Sequence, residues 1–149
     1  MTVIGVLFAA TIFMFFNESG LGLGPKDDYA ALPDLTVNTF INSIVNNSVN
    51  GSVQYRVDYT ITYTNIGDFG SSAVIATSGF SMNCNNGGGF GGGGGGSLMP
   101  LNPGESTSYS SYALLNCNGL FTVLGSVDTT NVLLEHNENN NNASTSAVI

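Results

Sequence analysis

The stretch of sequence that decides the fold is Val53-Gln54-Tyr55-Arg56-Val57-Asp58-Tyr59-Thr60-Ile61-Thr62-Tyr63. Apolar and polar side chains alternate along its whole length. Because successive side chains of a β-strand point to opposite faces, this alternation predicts a strand that is buried on one face and wet on the other. Its odd-numbered residues are predicted to face a core, and its even-numbered residues to face water.

Further short apolar segments, separated by Gly, Pro and Asn turns, lie on both sides of this strand. They predict strands at 35–37 (with Phe40 and Ile41 following), 72–80, 106–115 and 120–127, and a short one at 132–134. Strands with this spacing are typical of a two-sheet β-sandwich, so the chain is predicted to be mainly β. The predicted core consists of Val53, Tyr55, Val57, Tyr59, Ile61, Tyr63, Val74, Ile75, Tyr112, Leu114, Phe121, Val123 and Val127.

A glycine-rich segment interrupts the strand pattern between residues 80 and 98. Nine of the ten residues from Gly87 to Gly96 are glycine, and the tenth is Phe90. Such a segment supplies no hydrophobic face, which predicts a mobile surface loop. The alternative is a close-packing surface against a neighbouring subunit, with Phe90 as its anchor. The segment lacks the Lys and Ser/Thr of a phosphate-binding loop.

The chain has two cysteines, Cys84 and Cys117, and they predict a disulfide. The bridge closes a loop of about 30 residues, which is worth roughly 3–4 kcal/mol in the chain-entropy model. A metal site is the alternative, but it needs more ligands than the cysteines and the single histidine, His136, provide. The disulfide is predicted to tether the base of the glycine-rich loop.

The composition excludes several classes of partner. Lys26 and Arg56 are the only basic residues, and the net charge is −8. We therefore predict no nucleic-acid partner and no basic membrane-surface helix. A surface rich in Asn, Ser, Thr and Gly is common on secreted, often glycosylated proteins. Asn-X-Ser sequons occur at Asn17, Asn46, Asn50 and Asn142, and those at Asn46 and Asn50 lie in a predicted exposed turn.

Motifs for catalysis are missing from the sequence, and no enzyme and no cofactor is predicted. No serine has the strand–turn–helix setting of a nucleophile elbow, and His136 is expected to be solvated in an acidic, Asn-rich region. Oxygen ligands for Ca²⁺ are available from Asp128, Asn131, Glu135, Asn137 and Glu138. Turn capping by Asp and Asn explains this pattern better, so no metal is predicted.

The first sixteen residues carry no charge and are apolar on all faces. They predict a buried helix, with a fully buried strand as the alternative. As a helix they span about 24 Å, against about 30 Å for the hydrocarbon core of a membrane. No basic residue precedes the segment, unlike in a secretory signal peptide. We expect that a basic leader has been removed before Met1; an uncleaved start is the alternative.

The start of this segment, Val3-Ile4-Gly5-Val6-Leu7, is similar to the starts of archaeal type IV pilins. The resemblance implies a helix that waits in the membrane and then bundles with identical subunits as the core of a filament. The segment is short, and the fifth position is Gly5 where bacterial pilins have glutamate. The residues implied in assembly are Val3, Ile4, Val6, Leu7, Phe8, Ile12, Phe13, Phe15 and Phe16.

Four turn motifs in the β-region carry a second resemblance. They are Pro33-Asp34-Leu35, Tyr63-Thr64-Asn65-Ile66-Gly67, Leu101-Asn102-Pro103-Gly104-Glu105-Ser106, and the spaced set Val127-Asp128, Asn131-Val132, Glu135 and Asn137-Glu138-Asn139-Asn140. Their order resembles that of a CARDB domain. The resemblance implies an immunoglobulin-like antiparallel β-sandwich of the kind found in prokaryotic cell-surface proteins and linked to adhesion.

The predicted organisation has four parts: a hydrophobic stem at 1–24, a linker at 25–32, a CARDB-like β-sandwich at 33–142 and a C-terminal tail at 143–149. The predicted function is a structural subunit of an extracellular, pilus-like filament. Its predicted partners are identical subunits, and the membrane before assembly. Two alternatives remain open. One is a membrane-anchored adhesin or binding module, and the other is a filament joined by insertion of the stem or the tail as a strand into the next subunit.

Overall fold

The computed structural model describes residues 31–149. The predicted stem, with its helix, its assembly residues and Asn17, lies outside the described residues, as does most of the linker. From residue 31 onward the chain forms seven β-strands and no helix, and so no helix that could cross a membrane. The strands are β1 (Leu35–Asn46), β2 (Tyr55–Asn65), β3 (Val74–Cys84), β4 (Gly89–Leu98), β5 (Ser106–Leu115), β6 (Gly119–Val127) and β7 (Asn142–Val148).

The strands form two antiparallel sheets, which confirms the predicted mainly-β fold. One sheet has the order β1-β2-β5, and the other has the order β4-β3-β6-β7. On one side the sandwich is closed where β1 meets β7, because the Thr145 hydroxyl donates to the Thr39 carbonyl at 2.6 Å. On the other side lie the edge strands β4 and β5, which leave a groove between the sheets.

The alternating strand behaves as predicted. Val57, Tyr59, Ile61 and Tyr63 of β2 are buried, while the residues between them are partly exposed. Tyr59 packs against Phe121, which is fully buried on β6 in the facing sheet, with 6.3 Å between the ring centroids. Burial of such side chains contributes roughly 1.5–3 kcal/mol each. The core is therefore built on the stretch that shows the clearest period-two pattern in the sequence.

Four predicted core residues are instead exposed: Val53, Ile75, Tyr112 and Leu114. In β5 the residues that face the core are Ala113 and Leu115, so Tyr112 and Leu114 point outward. The run Tyr112-Ala113-Leu114-Leu115 is apolar at every position. Alternation is absent there, so the sequence does not show which face is buried.

The C-terminal part of the sandwich also differs from the prediction. Residues 132–134 form no strand. The chain instead makes a turn in which the Asp128 carboxylate accepts the amides of Val132 and Leu133. The last strand is β7, which pairs with β6 from Leu120↔Val148 to Ser126↔Asn142. The segment predicted as a tail, 143–149, thus lies in the sheet of its own domain. Its small polar residues carry little hydrophobic alternation, which explains why the pattern did not predict a strand.

The glycine-rich segment is a strand and not a loop. Strand β4 pairs with β3 along ten residues, from Val74↔Leu98 to Asn83↔Gly89. Ladder hydrogen bonds come from the backbone and need no side chain. Glycine also allows the two strands to approach closely, because a Cβ at Gly93 would lie 2.6 Å from the carbonyl oxygen of Ser78.

Two neighbouring glycines of β4 are expected to tolerate a side chain very differently. The variant Gly93→Val should destabilise the fold by about 1–3 kcal/mol, since its Cβ meets the backbone of β3. The variant Gly94→Val should have little effect, because a Cβ there meets nothing within 4 Å. Urea unfolding of both variants measures the difference. Equal stability of the two would show that β4 does not lie this close to β3.

The predicted disulfide is present. It joins Cys84, at the end of β3, to Cys117, in the connection between β5 and β6, with 5.8 Å between the Cα atoms. Strands β5 and β6 belong to different sheets. The bridge therefore fastens the crossover between the sheets to the end of β3.

Candidate functional site

The open side of the sandwich forms a groove of about 550 Å³ between β4 and β5. Its floor is the backbone of residues 92–96, its walls include Tyr59, Phe80 and Tyr109, and the outward-pointing Tyr112 lies at its rim. These residues come from both sheets. The groove is thus an opening into the interior of the sandwich and not a depression on one sheet.

The groove exists because β4 has only glycine on its inner face between Phe90 and Leu98. Gly94 and Gly96 pair with Ser78 and Ala76, and residues directly opposite in a ladder share a face of the sheet. Ala76 is buried in the core, so these two glycines also face inward. A Cβ at either glycine would meet nothing within 4 Å. The space that side chains normally fill is therefore open.

Strand β5 shows the same opening from the other sheet. Ala113 and Leu115 on its inner face are buried, yet Tyr109 on that same face is 49% exposed. An aromatic ring that faces the interior of a sandwich is normally covered by the opposite sheet. Here the opposite strand offers glycine only, and the core is left uncovered at this end.

Aromatic side chains form the base of the groove. Phe80 stacks on the buried Phe121, with 5.5 Å between ring centroids, and contacts Tyr59 at 6.3 Å. Phe90 meets Phe80 edge-on at 6.4 Å. Phe90, considered from the sequence as an anchor for a neighbouring subunit, thus packs on its own domain. Phe80 and Tyr59 are thus the part of the groove lining that connects with the aromatic core.

The groove is uncharged along its lining, and the nearest basic group lies on its rim. The guanidinium of Arg56 lies 4.4 Å from the ring centroid of Tyr112 and 2.8 Å from the Asp58 carboxylate. Hydrogen bonds from Arg56 and Ser43 lower the pKa of Asp58. Since that charge is neutralised locally, the groove suits an apolar, uncharged occupant.

A second cluster lies in the turn between β6 and β7. We call Asp128, Glu135 and Glu138 the acidic turn; their carboxylate oxygens lie within 4.8 Å of one another. Asp128 accepts hydrogen bonds from the amides of Val132 and Leu133 at 3.1 and 2.9 Å. The turn is therefore capped by aspartate, as predicted.

Glu135 ties the acidic turn to the start of β1. Its carboxylate accepts the Leu35 amide at 2.6 Å and the amide nitrogen of Asn141 at 2.6 Å. Burial raises the pKa of Glu135, and the negative charges of Glu138 and Asp128 raise it further. Asp128 and Glu135 are both buried, and no Lys or Arg of the described residues pairs with either.

The other residues considered from the sequence as Ca²⁺ ligands, Asn131 and Asn137, make hydrogen bonds in turns. Asn131 sits at a positive φ of 50°, and its amide donates to the Asp128 carbonyl. Asn137 accepts the Asn139 amide. Both residues are exposed and act in turns. Sequence analysis missed Asn141, whose side-chain oxygen is buried with no hydrogen-bond partner.

His136 is exposed, but it is not free in solvent. Its ring nitrogen Nε2 lies 3.2 Å from the Asp68 carboxylate, and this hydrogen bond lowers the pKa of Asp68. Its backbone amide donates to the Pro33 carbonyl. These contacts hold the turn after β6 against the start of the domain.

The described sequons lie on the surface. Asn46 ends β1, Asn50 occupies the following turn at a φ of 52°, and Asn142 begins β7. The Asn142 side-chain oxygen accepts the Ser126 hydroxyl at 2.6 Å, while the Asn50 side chain makes no hydrogen bond within residues 31–149. Glycosylation of these residues stays a prediction.

Known structures share this architecture. The crystal structure of the CARDB domain of the PF1109 protein from Pyrococcus furiosus, in complex with di-metal ions, is 21% identical over 79% of this chain and 94% of that one, with a TM-score of 0.56. The solution NMR structure of the same domain is 23% identical over 78% and 94%, with a TM-score of 0.55. No curated protein matches the chain.

The family comparison agrees with the fold and with the motif order in the sequence. The CARDB family model matches residues 32–145, which include all of β1–β6 and the acidic turn. This range begins one residue before the predicted start at Pro33 and extends into β7. The chain therefore belongs to the CARDB family, whose β-sandwich is a cell-surface type of domain.

Proposed function

We propose that this protein is a structural subunit of an extracellular filament built from identical copies. The observation that carries the proposal is the open side of the sandwich, where β4 and β5 each pair on one edge only among the strands of residues 31–149. Unpaired strand edges beside an apolar groove are places where another chain can add. The groove offers such a chain a place to pack its side chains.

The N-terminal segment supplies the energy for assembly. Its sixteen uncharged residues can remove apolar surface worth roughly 20–30 kcal/mol per copy from water. The disulfide and the low charge suit an oxidising, extracellular setting. Both the helical core and the inserted strand considered from the sequence place this segment between subunits, and both leave the CARDB domain on the outside.

Electron microscopy tests this proposal. The full chain, purified in detergent and then freed of it, is expected to form filaments in negative stain. The variant Phe8→Asp puts a charge in the apolar segment and should prevent assembly, while Asn116→Asp adds the same charge at an exposed residue and should not. Monodisperse globules from the unaltered chain would contradict the filament and favour a single adhesin domain.

A divalent-cation site in the acidic turn is a second candidate function. The related domain of PF1109 was crystallised with di-metal ions. In this chain three carboxylates converge within 4.8 Å, two of them buried, and carboxylate oxygens are the ligands that Ca²⁺ prefers. The donor set thus fits a hard cation, with Asp128, Glu135 and Glu138 holding it between β6 and β7.

Millimolar Ca²⁺ is expected to raise the melting temperature of the protein. A ligand at 100 times its Kd stabilises the folded state by about 2.7 kcal/mol. The variant Glu138→Gln keeps an acceptor for the Glu135 amide but loses the charge, and should reduce the shift. Glu105→Gln, at an exposed carboxylate outside the acidic turn, should retain it. The same melting temperature in Ca²⁺ and in excess chelator would exclude the site.

A further inference from the structure

We infer that the groove between β4 and β5 binds residues 3–16 of a second copy of this chain as an added β-strand. The inference rests on the proposed assembly from identical subunits and names the joint between them. It replaces the helical core, which the sequence favoured, with the inserted strand.

The backbone of the groove is arranged to receive a strand. Within the described domain β4 pairs only with β3, and β5 pairs only with β2. Each therefore presents one unpaired edge along its ten residues. A strand of ten residues is about 33 Å long, and residues 3–16 exceed that length. Ladder pairing to either edge would satisfy the backbone hydrogen-bonding groups of the inserted segment.

The shape of the groove calls for side chains that β4 does not provide. Large residues of a donor strand would occupy the space above Gly94 and Gly96 and cover the exposed ring of Tyr109. In the N-terminal segment the even-numbered residues form one face of an extended strand, and all of them are apolar. This face consists of Ile4, Val6, Phe8, Ala10, Ile12, Met14 and Phe16. The odd-numbered face includes Gly5 and Thr11, so the even-numbered face is the one that enters the groove.

The absence of charge in both the groove and the N-terminal segment also supports the inserted strand. The lining of the groove has no Asp, Glu, Lys or Arg, and residues 1–16 have none either. Between this segment and the domain lie residues 17–30, which reach about 46 Å when extended. Strand β1 begins at the edge of its sheet opposite to β5. The described chain therefore starts on the far side from its own groove, and residues 17–30 are long enough to reach the groove of a neighbour.

Photo-cross-linking tests the inserted strand in the full chain. Tyr109 is replaced by benzoylphenylalanine, a photoreactive analogue, and isotopically heavy and light chains are mixed before assembly. Illumination is expected to join residue 109 of one copy to residues 3–16 of another, which mass spectrometry detects as heavy–light peptide pairs. The same analogue in place of Phe69, an exposed aromatic outside the groove, should give no such pairs.

A double variant that fills the groove, together with a matched control, gives a second test. The double variant Gly94→Val with Gly96→Val should stay folded, because neither Cβ meets another atom within 4 Å, yet it should lose both filaments and cross-links. Ser110→Val adds a similar side chain on the opposite face of β5 and should keep both. Circular dichroism of each variant confirms that the domain is folded.

The outcomes separate the inference from the proposed function. Filaments with heavy–light pairs between residue 109 and residues 3–16 support both. Filaments that lack these pairs, or that persist in the double variant, overturn the inserted strand and leave the filament standing. Monomers in which residue 109 joins the segment of its own chain, or that show no cross-link, overturn both.

Discussion

Replacing Asn65 with leucine is expected to lower the free energy of unfolding by about 4 kcal/mol. The side chain is fully buried at the end of β2 and makes four hydrogen bonds. Leucine is similar in size but pairs with none of the four backbone groups. A buried polar group left without a partner costs about 1–3 kcal/mol. Since whole domains are stable by about 5–15 kcal/mol, the variant is expected to be close to unfolding at 37 °C.

The effect is large because Asn65 joins three segments that are distant in sequence. Its side-chain oxygen accepts the amides of Asp34 and Gly67, both at 3.1 Å. Its amide nitrogen donates to the carbonyls of Phe69 at 2.7 Å and Leu101 at 2.9 Å. One side chain thus holds the start of β1, the turn after β2 and the connection between β4 and β5.

Urea denaturation of Asn65→Leu measures the loss, and Asn38→Leu provides the matched control. Asn38 lies exposed on β1, so its replacement should change the stability by less than about 0.5 kcal/mol. Similar stability of both variants would refute the role of Asn65. The variant Asn65→Asp keeps the two acceptor bonds but buries a charge beside two carbonyl oxygens. Burial raises the pKa of such a carboxyl, so the folded state binds a proton more readily than the unfolded state does. The stability of the Asn65→Asp variant should therefore increase as the pH falls.

Removing the disulfide is expected to cost about 3–4 kcal/mol, because the sequence separation of 33 residues allows the unfolded chain much more freedom once the bridge is gone. The double variant Cys84→Ala with Cys117→Ala avoids a free thiol. Its free energy of unfolding, compared with that of the unaltered protein, measures the loss.

A reducing agent provides the control for this variant. It should destabilise the unaltered protein by nearly the same amount and leave the double variant unchanged. A loss of less than about 1 kcal/mol in the double variant would mean that the unfolded chain is already constrained in this region.

The residue pattern predicted some strands and their buried faces better than others, and the reason is physical. The period-two pattern of β2 predicted both the strand and its buried face, because that strand is covered on one face and wet on the other. The bounds of β5 were correct, but its buried face was wrong, since Tyr112 to Leu115 are apolar on both faces. Strand β4 was missed entirely because it pairs through its backbone, which leaves no trace in hydropathy.

The groove could not be predicted from the sequence for the same reason. Tyr109 belongs to a polar stretch of β5 and gives no indication that it faces the interior. Gly94 and Gly96 look identical to Gly93, yet a Cβ at either of them meets nothing within 4 Å, while a Cβ at Gly93 meets the backbone of β3. Only the pairing of β4 with β3 distinguishes these positions. In the acidic turn, Asp128 and Glu135 were considered as ligands from their side-chain type, while the contact of the buried Glu135 with the start of β1 appears only in the structure.

The sequence by itself determined the mainly-β architecture, the CARDB motif order and the cysteine pair, because alternation, turn residues and composition are local properties of a chain. The tertiary structure decided which side of the sandwich is open, where the glycine-rich strand lies and how Asn65 joins three connections. These features depend on contacts between segments that are far apart in sequence. The opening of the groove follows from which residues face each other across two sheets, and no local pattern records that arrangement.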